Sequence, residues 1–192
     1  MKKLSILLVS LLAVFMLTAC GNSKSNKVGN NNDSIINVDR YNQVKVSSFN
    51  GETKGDTVKT VEKILGKPSK IETKNDDGEK SQDYTWNKLN SSFKAKDVFV
   101  SFKDGRAMAK GFTNLSVNDL KVRNHDDIKS ISKGSSYNKM LKKLGTPDAE
   151  EQMGSGNLGF RIAYYLTDKK GNSTSYVAVG DYISQIVNKK LK

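Results

Sequence analysis

Apolar positions along most of this chain fall into two periodicities that divide it into helix and strand. Tyr137, Met140, Leu141 and Leu144 recur at helical spacing and wind onto one side of a single helix. Val58, Val61, Ile64 and Leu65 do nearly the same. Asp56 and Ser135 are the expected N-caps, since a side-chain oxygen there can accept an orphan amide proton of the first turn. Gly66 and Gly145 suit the left-handed position past each helix end, and Pro68 and Pro147 forbid continuation. Beyond each proline the period shortens to two. Strands are predicted at roughly 69–73, 83–87, 97–103 and 106–114, then at roughly 148–152, 158–166, 174–179 and 182–188. The breaks are Asn75-Asp76-Asp77-Gly78, the hairpin pair Asp104-Gly105, Gly154-Ser155-Gly156-Asn157, and Asp168 to Asn172.

The two helical patterns share one spacing. Both prolines stand in Leu-Gly-x-Pro, and the offset from Pro68 to Pro147 equals the offset from Lys54-Gly55 to Lys133-Gly134. At that same offset Lys63 coincides with Lys142, and Phe49 falls opposite Ile128. This predicts an α+β fold made of a tandem repeat, each copy a helix followed by an antiparallel β-meander, with the helices on one face. The first copy is placed at 45–121 and the second at 122–192.

The amino terminus is of another kind. Lys2 and Lys3 precede an apolar run from Leu4 to Leu17, broken only by Ser5 and Ser10. A span needs about 20 apolar residues, so the run reads as a secretory signal peptide over 1–19. Leu17-Thr18-Ala19-Cys20 resembles the lipobox of bacterial lipoproteins. The resemblance implies cleavage between Ala19 and Cys20, a diacylglyceryl group on the Cys20 sulfur, and a lipid-anchored place on the extracytoplasmic face of the cell membrane. Cys20 is the single cysteine, so no internal disulfide is available. Residues 20–44, rich in Asn, Ser, Lys and Gly, are expected to be a disordered tether.

Charge adds a second class of partner. The net charge of +12 becomes +10 once Lys2 and Lys3 leave with the signal peptide, and only four of the 32 basic residues are arginine. Such a surface is attracted to anionic lipid or envelope polymer in a salt-dependent way. Export argues against nucleic acid.

Ile128 to Pro147, and more loosely Phe49 to Pro68, read apolar-x-x-apolar, Lys-Gly, a polar cap, a helix and Leu-Gly-x-Pro. That order resembles the β-lactamase inhibitor protein fold, uncharacterised Gram-positive lipoproteins and, more distantly, small outer-membrane assembly lipoproteins. The resemblance implies that the two meanders join into one curved sheet whose concave face grips a protein. Two departures stand out: the inhibitors hold each repeat with a disulfide, and the loop before the third strand here carries Lys88, Lys94 and Lys96, not carboxylates. No inhibitory residue is carried over.

The candidate partner-binding residues are Tyr84 and Trp86 on one strand face, Tyr165 at the repeat offset from Trp86, and Tyr164 next to it on the opposite face; whichever row lines the open side of the sheet would anchor an interface. Packed under the helices, they would be core instead. His125, the single histidine, sits in Asn124-His125-Asp126-Asp127, read as a solvated linker between copies and not as part of a triad. Asp76, Asp77 and Glu79 lack the spacing of a helix–loop–helix calcium site, and Gly154-Ser155-Gly156 reads as a turn and not a phosphate cradle. Lys139, Lys142, Lys143, Lys189, Lys190 and Lys192 read as solvated faces. No metal, cofactor or catalytic residue is predicted. The leading expectation is a non-enzymatic, membrane-anchored, protein-binding adaptor or inhibitor-like module. The alternatives are a basic domain for anionic envelope polymer or lipid, and a cell-wall hydrolase, which needs paired carboxylates in a cleft.

Overall fold

The computed structural model describes residues 36–76, 79–113 and 121–190. Ala19, Cys20, most of the tether, Asp77, Gly78 and Lys192 lie outside them. Two short helices, α1 (Val38–Gln43) and α2 (Val58–Leu65), precede four strands: β1 (Lys70–Asp76), β2 (Glu79–Trp86), β3 (Asp97–Lys103) and β4 (Arg106–Thr113). Then come α3 (His125–Lys129), α4 (Tyr137–Leu144), β5 (Ala149–Met153), β6 (Phe160–Leu166), β7 (Asn172–Val179) and β8 (Tyr182–Lys190). The strands form a single antiparallel sheet in sequence order, and β4 pairs with β5 from Ala109↔Met153 to Phe112↔Glu150.

Because side chains alternate across a sheet, the register assigns every residue to a face. Ile71, Tyr84, Val100, Lys110, Gln152, Arg161, Ala178 and Ile183 share one. All four helices pack there. Val61 and Leu65 of α2 join Trp86, Val98 and Phe102, while Tyr137, Met140 and Leu144 of α4 join Tyr165, Tyr176 and Ile183.

Local chemistry explains the ends of these elements. Thr57 and Ser136 cap α2 and α4, accepting from Thr60 N and Lys139 N. Each follows directly on the expected cap. Asp56 instead accepts from Lys45 N, and the Ser135 hydroxyl is held against Ser132. Gly66 and Gly145 have φ of +84° and +76°, and their amides donate to Glu62 O and Leu141 O. Asp104 and Gly105, at φ +51° and +70°, make the tight β3–β4 hairpin that their identities imply.

Three expectations need correction. The fold begins before residue 45: Ile36, Tyr41 and Val44 are buried, and α1 occupies what was read as tether. Their few apolar side chains are hidden in an Asn-rich composition, yet all three join the first core, where Tyr41 packs against Phe93 and Phe112. Phe49 is not the counterpart of Ile128. Ile128 is buried in α3, whereas Phe49 is 46 % exposed in the segment 44–57, longer than the 130–136 connection of the second half. His125 is no linker residue either, since Asn124 caps α3 by accepting from Asp126 N and His125 begins that helix, exposed.

A polar junction joins the halves on the helix side. The buried Glu150 carboxylate accepts from Tyr41 of α1 at 2.9 Å and from Tyr137 of α4. The Lys110 ammonium, also buried, donates to Tyr41 O and Val44 O at 3.0 and 2.8 Å and lies over the Tyr41 ring. Arg161 lies over the Tyr137 ring. Nearby, Arg123 pairs with Asp148 at 3.2 Å and donates to Leu144 O and Thr146 O, tying the start of the second half to the end of α4.

Burial pushes the Lys110 ammonium down to about 8, against the attraction of Glu150. A lysine whose folded value is depressed holds its proton less well folded than unfolded, so stability rises as pH climbs through that value. Burial and Glu150 raise the Tyr41 and Tyr137 hydroxyls well above 10, which removes stability once unfolded tyrosine ionises. The urea midpoint should therefore climb between pH 8 and 10 and fall above it. In Lys110→Met the climb should vanish, and a climb that survives the substitution would assign it elsewhere.

Candidate functional site

The second face of the sheet carries no helix among the described residues. Its middle row runs Phe99, Gly111, Glu151, Ile162 and Val177, from β3 to β7. A second row holds Met153, Phe160, Val179 and Tyr182, and a third Ala149, Tyr164, Ser175 and Val187. Most of these residues are apolar, which an antiparallel sheet facing only water does not need. Val179, Tyr182 and Val187 are 46, 63 and 44 % exposed. Phe49 stacks on Phe160 with centroids 6.1 Å apart, so the long 44–57 segment extends this apolar strip at one end.

Ion pairs line the β1–β3 side of this face: Lys70–Glu72, Lys74–Asp83 and Lys103–Glu79. Glu151, by contrast, stands in the middle row between Gly111 and Ile162. Burial raises its carboxyl, and no other group contributes. Burial and then the Glu151 charge raise the Tyr164 hydroxyl. Gly111 is required where it stands, because a Cβ there would lie 2.4 Å from the Phe99 ring and 2.5 Å from Glu150 O. The carbonyl is part of the β4–β5 ladder and cannot swing aside. Gly111→Ala should cost about 1–3 kcal/mol in a urea titration; no loss would mean that the ring and ladder yield freely.

The four aromatic candidates separate by face. Trp86 and Tyr165 are core: Trp86 Nε1 donates to Gly66 O at 2.9 Å, and Tyr165 Oη donates to Gly145 O at 2.8 Å. Each thus satisfies the end of a helix, and the two stand at the same offset from one another as the two prolines. Tyr84 packs edge-on to Phe102 on the same side. Tyr164 alone of the four reaches the open face, half-buried. The residues missed from sequence are Phe99, Glu151, Ile162 and Val177. Their alternation was visible, but nothing in it said which side the helices would take.

Elsewhere the chemistry is sparse. Among the described residues no group of three or more His, Cys, Asp or Glu is placed to hold a metal ion. No described helix is long and apolar enough to cross a membrane. Glu79 pairs with Lys103, and the side chains of Asp76 and Asp77 are outside the described part. Gly154-Ser155-Gly156 is a turn into a 3-10 helix, with Gly154 against Phe49. Lys143 pairs with Asp127 at 2.8 Å, and Lys139 and Lys142 are exposed.

Residues 35–182 match a domain family of unknown function, DUF3862, that has solved structures. The chain belongs to that family. Its fold is also similar to a crystal structure from Streptococcus mutans, provisionally described as a β-lactamase inhibitor protein. That structure has a TM-score of 0.59 and 19 % identity, and the likeness covers 79 % of this chain and 94 % of that one. At this identity the likeness concerns architecture. None of the curated proteins matches the sequence.

Proposed function

We propose that this member of DUF3862 is a non-enzymatic protein-binding module, held by lipid at Cys20 on the extracytoplasmic face of the membrane, that grips its partner with the open face of the sheet. The observation carrying this reading is the uneven covering of the sheet. Four helices bury one face, while the other leaves Phe99, Tyr164 and Val177 partly exposed and Val179, Tyr182 and Val187 exposed. Contiguous apolar surface of that kind marks interaction sites on soluble domains. The description given to the Streptococcus mutans neighbour points the same way.

In this reading the two halves are copies of one unit, and the sheet they share is curved around its open side. Hydrogen bonds that recur at the spacing of the two Leu-Gly-x-Pro motifs support it: Trp86 to Gly66 and Tyr165 to Gly145, Asn87 N to Ser69 and Leu166 N to Asp148. The anchor at Cys20 rests on the lipobox-like sequence. The test is capture from the source envelope at low and high salt. Hydrophobic contact through the sheet should retain a discrete protein at high salt, because screening acts on exposed charge and not on apolar burial. Retention of anionic polymer alone, lost as salt rises, would contradict the proposal and leave the lysines as the binding surface.

A further inference from the structure

Resting on the reading of the open face as the binding surface, we propose that Glu151 is its specificity-determining residue and takes a basic side chain of the partner, arginine foremost. Three observations converge on it. Glu151 lies at the centre of an apolar face, its register neighbours being Gly111 and Ile162. On the β1–β3 side Glu72, Asp83 and Glu79 are each paired with a lysine and Asp97, whose carboxyl burial raises, feels the opposing charge of Lys96, while no described cation or donor meets Glu151. Aromatic rings stand on both sides: Phe99 packs over Gly111, and Tyr164 is the next residue of its face along β6.

A partner that covers this face removes the remaining water from the carboxylate. Without a cation opposite, it buries an unpaired charge and is rejected; with one, the charge is neutralised in a site already lined by apolar surface. Arginine fits best. Its planar fork can bond the carboxylate while its face lies against an aromatic ring, which lysine's compact ammonium does less well.

The test uses the full chain in mild detergent, panned with a random phage-displayed peptide library, against Glu151→Gln and Tyr164→Ala in parallel. A net charge of +12 repels basic peptides, so non-specific attraction would select acidic ones. The proposal expects enrichment of arginine or lysine flanked by apolar residues, with about tenfold or greater weakening on Glu151→Gln. The near-isosteric substitution keeps the fold, and circular dichroism and urea titration would verify that. Apolar peptides that depend on Tyr164 but ignore Glu151→Gln would overturn the proposal and leave the open-face reading standing. Peptides indifferent to both substitutions would overturn the two together.

Discussion

Glu150→Ala is expected to lower the unfolding free energy by about 3–5 kcal/mol, among the largest effects of any single substitution in this chain. The carboxylate is buried, accepts two tyrosine hydroxyls from helices of different halves, and lies close to the Lys110 charge. Truncation leaves the Tyr41 and Tyr137 hydroxyls without their acceptor and Lys110 without its nearest counter-charge. A buried polar group stripped of its partner keeps the full cost of leaving water. Glu150→Ala combined with Tyr41→Phe and Tyr137→Phe should therefore lose less than the three single losses added together, because these groups act as one network. Urea titration at neutral pH measures all of them. A loss below about 1 kcal/mol for Glu150→Ala would show that the β4–β5 ladder and apolar packing hold the halves without this network.

The second large effect separates the two faces of the sheet. Tyr164→Ala should weaken partner binding by about 2–4 kcal/mol, a factor of roughly 30–1,000, while changing stability little. Trp86→Ala should do the reverse: its indole is 2 % exposed and bonded to the end of α2, so its removal should cost about 3–5 kcal/mol of stability. Binding by the fraction that remains folded should be unchanged. Paired titrations of stability and affinity check both. If Trp86→Ala weakened binding in the folded state as much as Tyr164→Ala, the partner would be reading the helix side.

Much of the fold was visible in the chain, and the reasons differ by element. The helices α2 and α4 announce themselves by apolar spacing, and the glycine after each is required by a positive φ. The Asp104-Gly105 hairpin is fixed by two residues that tolerate that backbone. Helix α1 was hidden because its buried side chain, Tyr41, stands alone in a polar stretch and is held by tertiary contact with Phe93 and Phe112. Phe49 misled for a related reason: a fixed offset carried past Lys54-Gly55 ignores the longer 44–57 segment.

The site was less visible. Alternation puts Tyr164 and Tyr165 on opposite faces but does not label the faces, so the choice between core and surface waited on where the helices pack. Glu151 gave no signal at all, since Glu150-Glu151 in sequence reads as any exposed acidic pair. In the fold one of them ties the halves together and the other faces the open sheet.

The most direct test of the central claim is site-specific photo-crosslinking in the intact source envelope, with a photoreactive phenylalanine placed at Tyr182 or Val187 on the open face and at Lys139 on the helix side. All three positions are exposed, so insertion leaves the core untouched. The account predicts a discrete protein adduct from Tyr182 and Val187, and none of that mass from Lys139. Adducts from Lys139 with none from the open face would contradict it.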